Sequence, residues 1–156
     1  MLSGLKYEAR CDRQFSEDSY MEFLKNSVST IRNITDFEPE ILIVLGSGLH
    51  SLVDRIDKVA EVSFGDIEGF PVATNKAHEG CFVFGYLEGK KVVAMNGRIH
   101  YYEGYPMQDV VAPLRVCYML GADKAIITNA AGAINPSFDI GDFMLVKDCL
   151  SVLVQC

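Results

Sequence analysis

The run Ile41-Leu42-Ile43-Val44-Leu45 passes directly into Gly46-Ser47-Gly48, and this junction constrains the fold more than any other feature of the 156 residues. Five consecutive β-prone residues lack the alternation of a half-solvated strand, so the pattern predicts a strand buried on both faces. Such a strand belongs to a sheet covered by helices. The glycines after it allow a sharp exit and leave backbone N–H groups able to meet an anion. Taken alone, Gly-Ser-Gly is more often just a turn. It fits neither the dinucleotide fingerprint, which wants a glycine where Ser51 stands, nor the P-loop, which wants Gly-Lys-Ser/Thr.

Around this strand the chain reads as mixed α and β. Tyr20, Phe23, Leu24, Val28 and Ile31 recur at helical spacing between Ser16 and Thr35, with Ser16 as N-cap and Glu17 and Asp18 in the first turn. A strand is expected over 59–64, and 81–87 with 91–96 read as a hairpin with Glu88-Gly89-Lys90 at its tip. Pro106 at the first helical position and Gly121 beyond the last bracket a helix. Its apolar stripe is Met107, Val110, Val111, Leu114, Cys117 and Tyr118, and Pro113 inside it predicts a kink or a break. Residues 124–129 read as another buried strand, and 142–146 as a last one. The expected fold class is α/β, a mixed β-sheet flanked by helices in a single domain over 1–156, with residues 1–37 as its N-terminal helical segment.

Charge narrows the function. Fourteen Lys and Arg against 21 Asp and Glu leave a net charge of −7, which argues against nucleic acid as a partner, because such binding rests on neutralising many phosphates. One small anion in a local pocket is compatible with that balance. No apolar run is longer than the five residues of 41–45, far short of a bilayer span, and no apolar block follows the first ten residues. The expectation is a cytoplasmic chain with no membrane partner. The five cysteines, Cys11, Cys81, Cys117, Cys149 and Cys156, are widely spaced without a C-x-x-C, and three histidines form no zinc grouping. They read as free thiols in a reducing compartment, none of them a nucleophile, with no metal site.

Three polar groupings lie at predicted strand exits, where ligands of α/β sheets gather. The first is Gly46-Ser47-Gly48, whose Ser47 hydroxyl adds a donor. The second is Gly97-Arg98-Ile99-His100-Tyr101-Tyr102-Glu103-Gly104-Tyr105-Pro106. If it is extended, Arg98, His100 and Tyr102 share one side. A guanidinium fork, an imidazole and a phenol make an edge suited to phosphate and sugar, the alternative being a tyrosine-rich turn with a solvated arginine. The third is Thr128-Asn129-Ala130-Ala131-Gly132, where small residues either admit a ligand against the main chain or simply pack tightly. His78, in the polar loop before residue 81, reads by itself as a solvated histidine, and His50 is assigned no role.

Together, Leu45-Gly46-Ser47-Gly48-Leu49, the run from Gly97 to Pro106 and Thr128-Asn129-Ala130-Ala131-Gly132 resemble the trimeric class of purine nucleoside phosphorylases. Gly69-Phe70-Pro71, His78-Glu79-Gly80, Asn135-Pro136 and Gly141-Asp142 fit the same pattern in order and spacing, so the resemblance runs over about 38–148. The Arg-x-His-x-Tyr-Glu-Gly-Tyr run is specific; the other two gain weight in combination with it. The resemblance implies a nucleoside phosphorylase-like fold and the reaction of a purine (deoxy)ribonucleoside with inorganic phosphate. The products are free base and (deoxy)ribose 1-phosphate, and neither a metal nor an organic cofactor takes part. It implies phosphate binding by Ser47, His78, Arg98, His100 and the backbone N–H of Ala130, with His100 and Arg98 also catalytic. Tyr102 would lie along the ribose and Glu103 would orient its neighbours.

The same resemblance implies a homo-oligomer, a trimer. The family's base-binding Glu and Asn belong to the second half of its chains, so no base-binding residue is assigned here. Residues 149–156 depart from the family pattern and read as a divergent tail. The chain is thus expected to correspond to an N-terminal portion of a phosphorylase, with a sheet incomplete at the C-terminal side and apolar edges uncovered. Two roles follow from that expectation. One is the phosphate and ribose half of an enzyme, inactive alone; the other is a non-catalytic chain that associates with full-length subunits.

Overall fold

The expected strand forms where the apolar run lies. In the computed structural model, which describes residues 16–72 and 80–150, the strands in chain order are β1 (Ile41–Val44), β2 (Asp57–Ser63), β3 (Cys81–Leu87), β4 (Lys90–Asn96) and β5 (Lys124–Ile127). Helices α1 (Glu17–Arg32) and α2 (Met107–Met119) accompany them. The strands form one sheet in the order β2-β3-β4-β1-β5. β1 runs parallel to both β4 and β5, whereas β2, β3 and β4 pair antiparallel, so the sheet is mixed as expected.

Successive side chains of the apolar run enter two cores. Leu42 and Val44 join Tyr20, Leu24, Phe82, Phe84 and Val116 on the face covered by α1 and α2. Ile43 and Leu45 join Val83, Val92 and Ala94 on the other face, where Leu52 and Val53 of the short 3₁₀-helix His50–Arg55 pack against them. Burial on both faces is what a strand of uninterrupted apolar residues needs to lose its contact with water.

Local chemistry sets the ends of the elements. Ser16 Oγ accepts the Ser19 N–H at 3.2 Å at the start of α1. At its other end the Arg32 guanidinium donates to Phe37 O and to Leu120 O, each at 2.9 Å, so one side chain ties α1, the approach to β1 and the end of α2 together. Ala122 N–H donates to Cys117 O at 3.1 Å and Gly121 N–H to Tyr118 O at 3.0 Å, which closes α2 in a Schellman motif. The hairpin tip is two residues rather than three. Glu88 and Gly89 both take positive φ, 49° and 73°, giving the turn a twist that matches the strands, and Lys90 already pairs with Leu87.

Four expectations are corrected. Pro113 does not break α2: the helix is continuous across the buried proline, because packing of its face on the sheet outweighs one missing donor. That face is Ala112, Val116, Cys117 and Leu120, whose smaller members admit a close approach, while Met107 and Tyr118 are 54% and 72% exposed. β5 forms but is not buried; it is the edge of the sheet in the described residues, with Ile126 and Ile127 52% and 60% exposed. Residues 142–146 form no strand, and Phe143 and Leu145 are 88% and 96% exposed. Apolar sequence becomes a strand only beside a neighbour that pairs its backbone, and no described strand lies alongside that segment.

Among the described residues no helix is long and apolar enough to cross a membrane. Cys81, Cys117 and Cys149 are free thiols.

Two stability tests follow from the packing. A Cβ on Gly85 would meet the Asp57 carbonyl oxygen, and Ile56 Cγ2 at 2.7 Å. Gly85→Ala is expected to cost about 1–3 kcal/mol, read as a lower urea midpoint with an unchanged slope. Complete burial pushes the Cys117 thiol far above its ordinary 9.0, so the folded chain keeps a proton that the unfolded chain releases. Stability should therefore be fully present below 9.0 and fall as pH rises past it, and Cys117→Ala should flatten that fall in urea titrations on either side of this pH.

Candidate functional site

β4, β1 and β5 are adjacent and parallel, so their carboxyl ends lie side by side at one end of the sheet. Each of the three polar groupings leaves one of these ends: Gly46-Ser47-Gly48 from β1, the Arg98–Glu103 segment from β4, and Thr128 onward from β5. Sheet order alone brings together residues 46, 98 and 128.

The bridge between them is Arg98. Its Nη1 donates to Thr128 O at 2.9 Å. Since β1 lies between β4 and β5, the guanidinium reaches past the end of β1, across roughly two strand spacings, ~9.5 Å. Gly46 packs against the same carbonyl, and a Cβ there would stand 2.7 Å from Thr128 O. The Gly46 N–H donates to Thr128 Oγ1 at 2.8 Å, and the hydroxyl donates in turn to Val44 O at 2.9 Å.

On its other side Arg98 meets His100. Arg98 Nε donates to His100 Nε2 at 3.1 Å. A guanidinium N–H can only donate, so Nε2 carries the lone pair and the proton sits on Nδ1. Nδ1 therefore donates to Glu103 Oε1 at 3.1 Å, and the same oxygen accepts the His100 backbone N–H at 2.8 Å. Glu103 is thereby the anchor of a neutral imidazole whose accepting edge faces Arg98. Tyr102 stacks on the His100 ring at 4.8 Å between centroids and 16° between planes. Tyr105 Oη donates to Val72 O at 2.6 Å and fixes the far side of the turn.

Arg98 and His100 meet as the alternation predicted, with Ile99 buried between them. Tyr102 joins them differently. The extended backbone stops at His100, and a 3₁₀ turn over Tyr101–Glu103, closed by Gly104 at φ 85°, folds the phenol back onto the imidazole. Ser47 is exposed one residue beyond the clamped Gly46, and Ala130 is exposed two residues beyond Thr128. His78 lies outside the described residues. His100, read from sequence as a donor to phosphate, is in this arrangement the acceptor for Arg98.

Thr128 is the residue that sequence reasoning undervalued. A small-residue run after a strand signals tight packing, and nothing local announces that its hydroxyl and carbonyl serve two other segments. His50, assigned no role, pairs its Nδ1 with Asn96 Oδ1 at 2.7 Å and ties the 3₁₀-helix to the end of β4. Among the described residues no group of three or more His, Cys, Asp or Glu could hold a metal ion. What the arrangement offers chemically is a set of donors suited to an oxyanion. Of the five guanidinium donors, two are used by His100 and Thr128, leaving three, with the Ser47 hydroxyl and exposed main chain at the same sheet end.

Residues 40–155 match the family described as the phosphorylase superfamily. The chain is 45% identical over 127 residues to purine nucleoside phosphorylase 1 of Geobacillus stearothermophilus, covering 81% of this chain and 44% of that one. It is 36% identical over 145 residues to the purine nucleoside phosphorylase of Rattus norvegicus, covering 93% and 49%. It superposes on the Schistosoma mansoni purine nucleoside phosphorylase in complex with inosine with a TM-score of 0.71 at 40% identity, covering 78% and 42%. The chain spans less than half the length of the curated relatives it matches.

The tautomer is directly measurable. Nitrogen-15 shifts of His100 in the neutral range should report a protonated Nδ1 and a bare Nε2. Glu103→Ala should move the ring toward the Nε2–H form, because the acceptor holding the Nδ1 proton is gone. An Nε2–H ring in the unmodified protein would contradict the assignment.

Proposed function

The chain belongs to the phosphorylase superfamily, and on that footing we propose that it carries the phosphate- and ribose-binding part of a purine nucleoside phosphorylase site. The observation that carries this reading is the Arg98 guanidinium, aimed by His100 on one side and Thr128 on the other, at the sheet end where Gly46-Ser47-Gly48 also lies. Similarity to relatives named purine nucleoside phosphorylase supplies the substrate class.

In this reading inorganic phosphate is held by Arg98, Ser47, His100, His78 and the Ala130 N–H, and Tyr102 lies along the ribose. A phosphate oxygen bonds to C1′ as the glycosidic bond breaks, and the bonding pair leaves with the purine, which ends with the proton that the hydrogen phosphate dianion gives up. The products are the free base and (deoxy)ribose 1-phosphate. Positive charge develops on the sugar, so an anion fixed beneath it is both nucleophile and stabiliser. Arg98 neutralises part of the anion without giving up its own proton. His100 serves by aiming Arg98, whose Nε–H it accepts at Nε2. The proposal calls for no metal or organic cofactor, since the dianion itself provides nucleophile and counter-charge. It also takes the protein as a cytoplasmic homo-oligomer, a trimer.

Calorimetric titration with inorganic phosphate tests the reading. Saturable binding is expected, weakened by about tenfold or more in Arg98→Ala, and changed little in Tyr102→Phe, which keeps the stacked ring. Absence of saturable binding, or equal losses in the two variants, would overturn it.

A further inference from the structure

Thr128 joins three segments far apart in the chain, and the proposed reaction gives it no task. Its hydroxyl donates its one hydrogen to Val44 O at 2.9 Å and accepts the Gly46 N–H at 2.8 Å. Its main-chain N–H also reaches Val44 O, at 3.1 Å, extending the parallel ladder one step past β5. Its carbonyl takes Arg98 Nη1 at 2.9 Å. One peptide thus holds the loop that carries Ser47 and the cation that carries the site's charge. We infer that Thr128 is the positioning residue of the anion site, fixing the separation of Ser47 and Arg98 by binding the supports of both.

The inference rests on the reading of this site as one for phosphate. Donors pay for anion binding through the reorganisation needed to converge on it, and groups held in place beforehand avoid that cost. Gly46 shows how tight the hold is. It is buried, and the carbonyl that its Cβ would strike at 2.7 Å is the one that receives Arg98. A shift of the Ser47 loop is therefore transmitted to the guanidinium through Thr128, and the two donors behave as a unit. A residue that merely ends a strand would add stability and leave Ser47 and Arg98 independent.

Phosphate affinity of the whole chain, measured by calorimetry with thermal midpoints alongside, separates these cases. Thr128→Ser keeps the hydroxyl and should bind as the unmodified chain does. Thr128→Val keeps the branched shape and should lose about tenfold or more, since the buried Gly46 N–H loses its acceptor. Ile126→Ala, which trims the exposed face of the same strand, should leave affinity unchanged. In the unmodified background, losses from Ser47→Ala and Arg98→Lys should be non-multiplicative, and in Thr128→Val they should multiply. If Thr128→Val does not fold, amide exchange of the unmodified chain decides: phosphate should slow the Gly46 N–H, and an unchanged rate overturns the inference. Undiminished affinity in Thr128→Val, coupling that survives there, or an equal loss in Ile126→Ala overturns it too. Failure of the unmodified chain to bind phosphate refutes instead the reading of the site.

Discussion

One hydrogen bond organises this sheet end: Arg98, leaving β4, reaches past β1 to the carbonyl of Thr128 on the far side. The bond is possible only because β4, β1 and β5 are adjacent and parallel, so that three chain exits face the same way. It also explains the character of the residues around it. Position 46 must be small because its neighbour is the receiving carbonyl, and position 128 needs a hydroxyl because the Gly46 N–H has to be satisfied from the side. The uninterrupted apolar run of β1 is the foundation, since burial on both faces is what keeps that strand in the middle of the sheet.

The electrostatics of the site are graded rather than purely positive. Glu103 sits at the back, its side chain only 10% exposed, and binds His100 twice. The imidazole passes this order on by accepting from Arg98, so a carboxylate, a neutral ring and a guanidinium form a chain that points the cation without neutralising it. This is a common way to give a strong charge a direction: the nearest partner is neutral, and the opposite charge is one residue removed. Tyr102 covers the ring with an aromatic face that is itself 77% exposed, which leaves an apolar surface beside a polar one.

Much of this was legible in the sequence. The strand in the run at 41–45, the capped helix after Ser16 and the hairpin of 81–87 with 91–96 are each dictated by local chemistry, and each formed, the strand ending at Val44 and the turn narrowing to Glu88 and Gly89. The arginine–histidine pair was readable from alternation. What was not readable depends on neighbours distant in the chain. The buried face of α2 is chosen by what fits closest to the sheet, so Met107 and Tyr118 stay outside despite being apolar. Residues 124–129 and 142–146 read as core strands, yet the first forms only an exposed edge over Lys124–Ile127 and the second is unpaired. Thr128 was visible only as a small-residue run, because its importance lies in contacts with residues 44, 46 and 98.

The central claim is that these three strand ends form a single cradle for an oxyanion. A crystal structure of the chain grown with inorganic phosphate tests it most directly. Phosphate bonded at once to the Arg98 guanidinium and the Ser47 hydroxyl, with the Thr128 carbonyl still holding Arg98, is the predicted result. Phosphate seated elsewhere, or Arg98 and Ser47 turned to separate surfaces around an ordered ion, would contradict it.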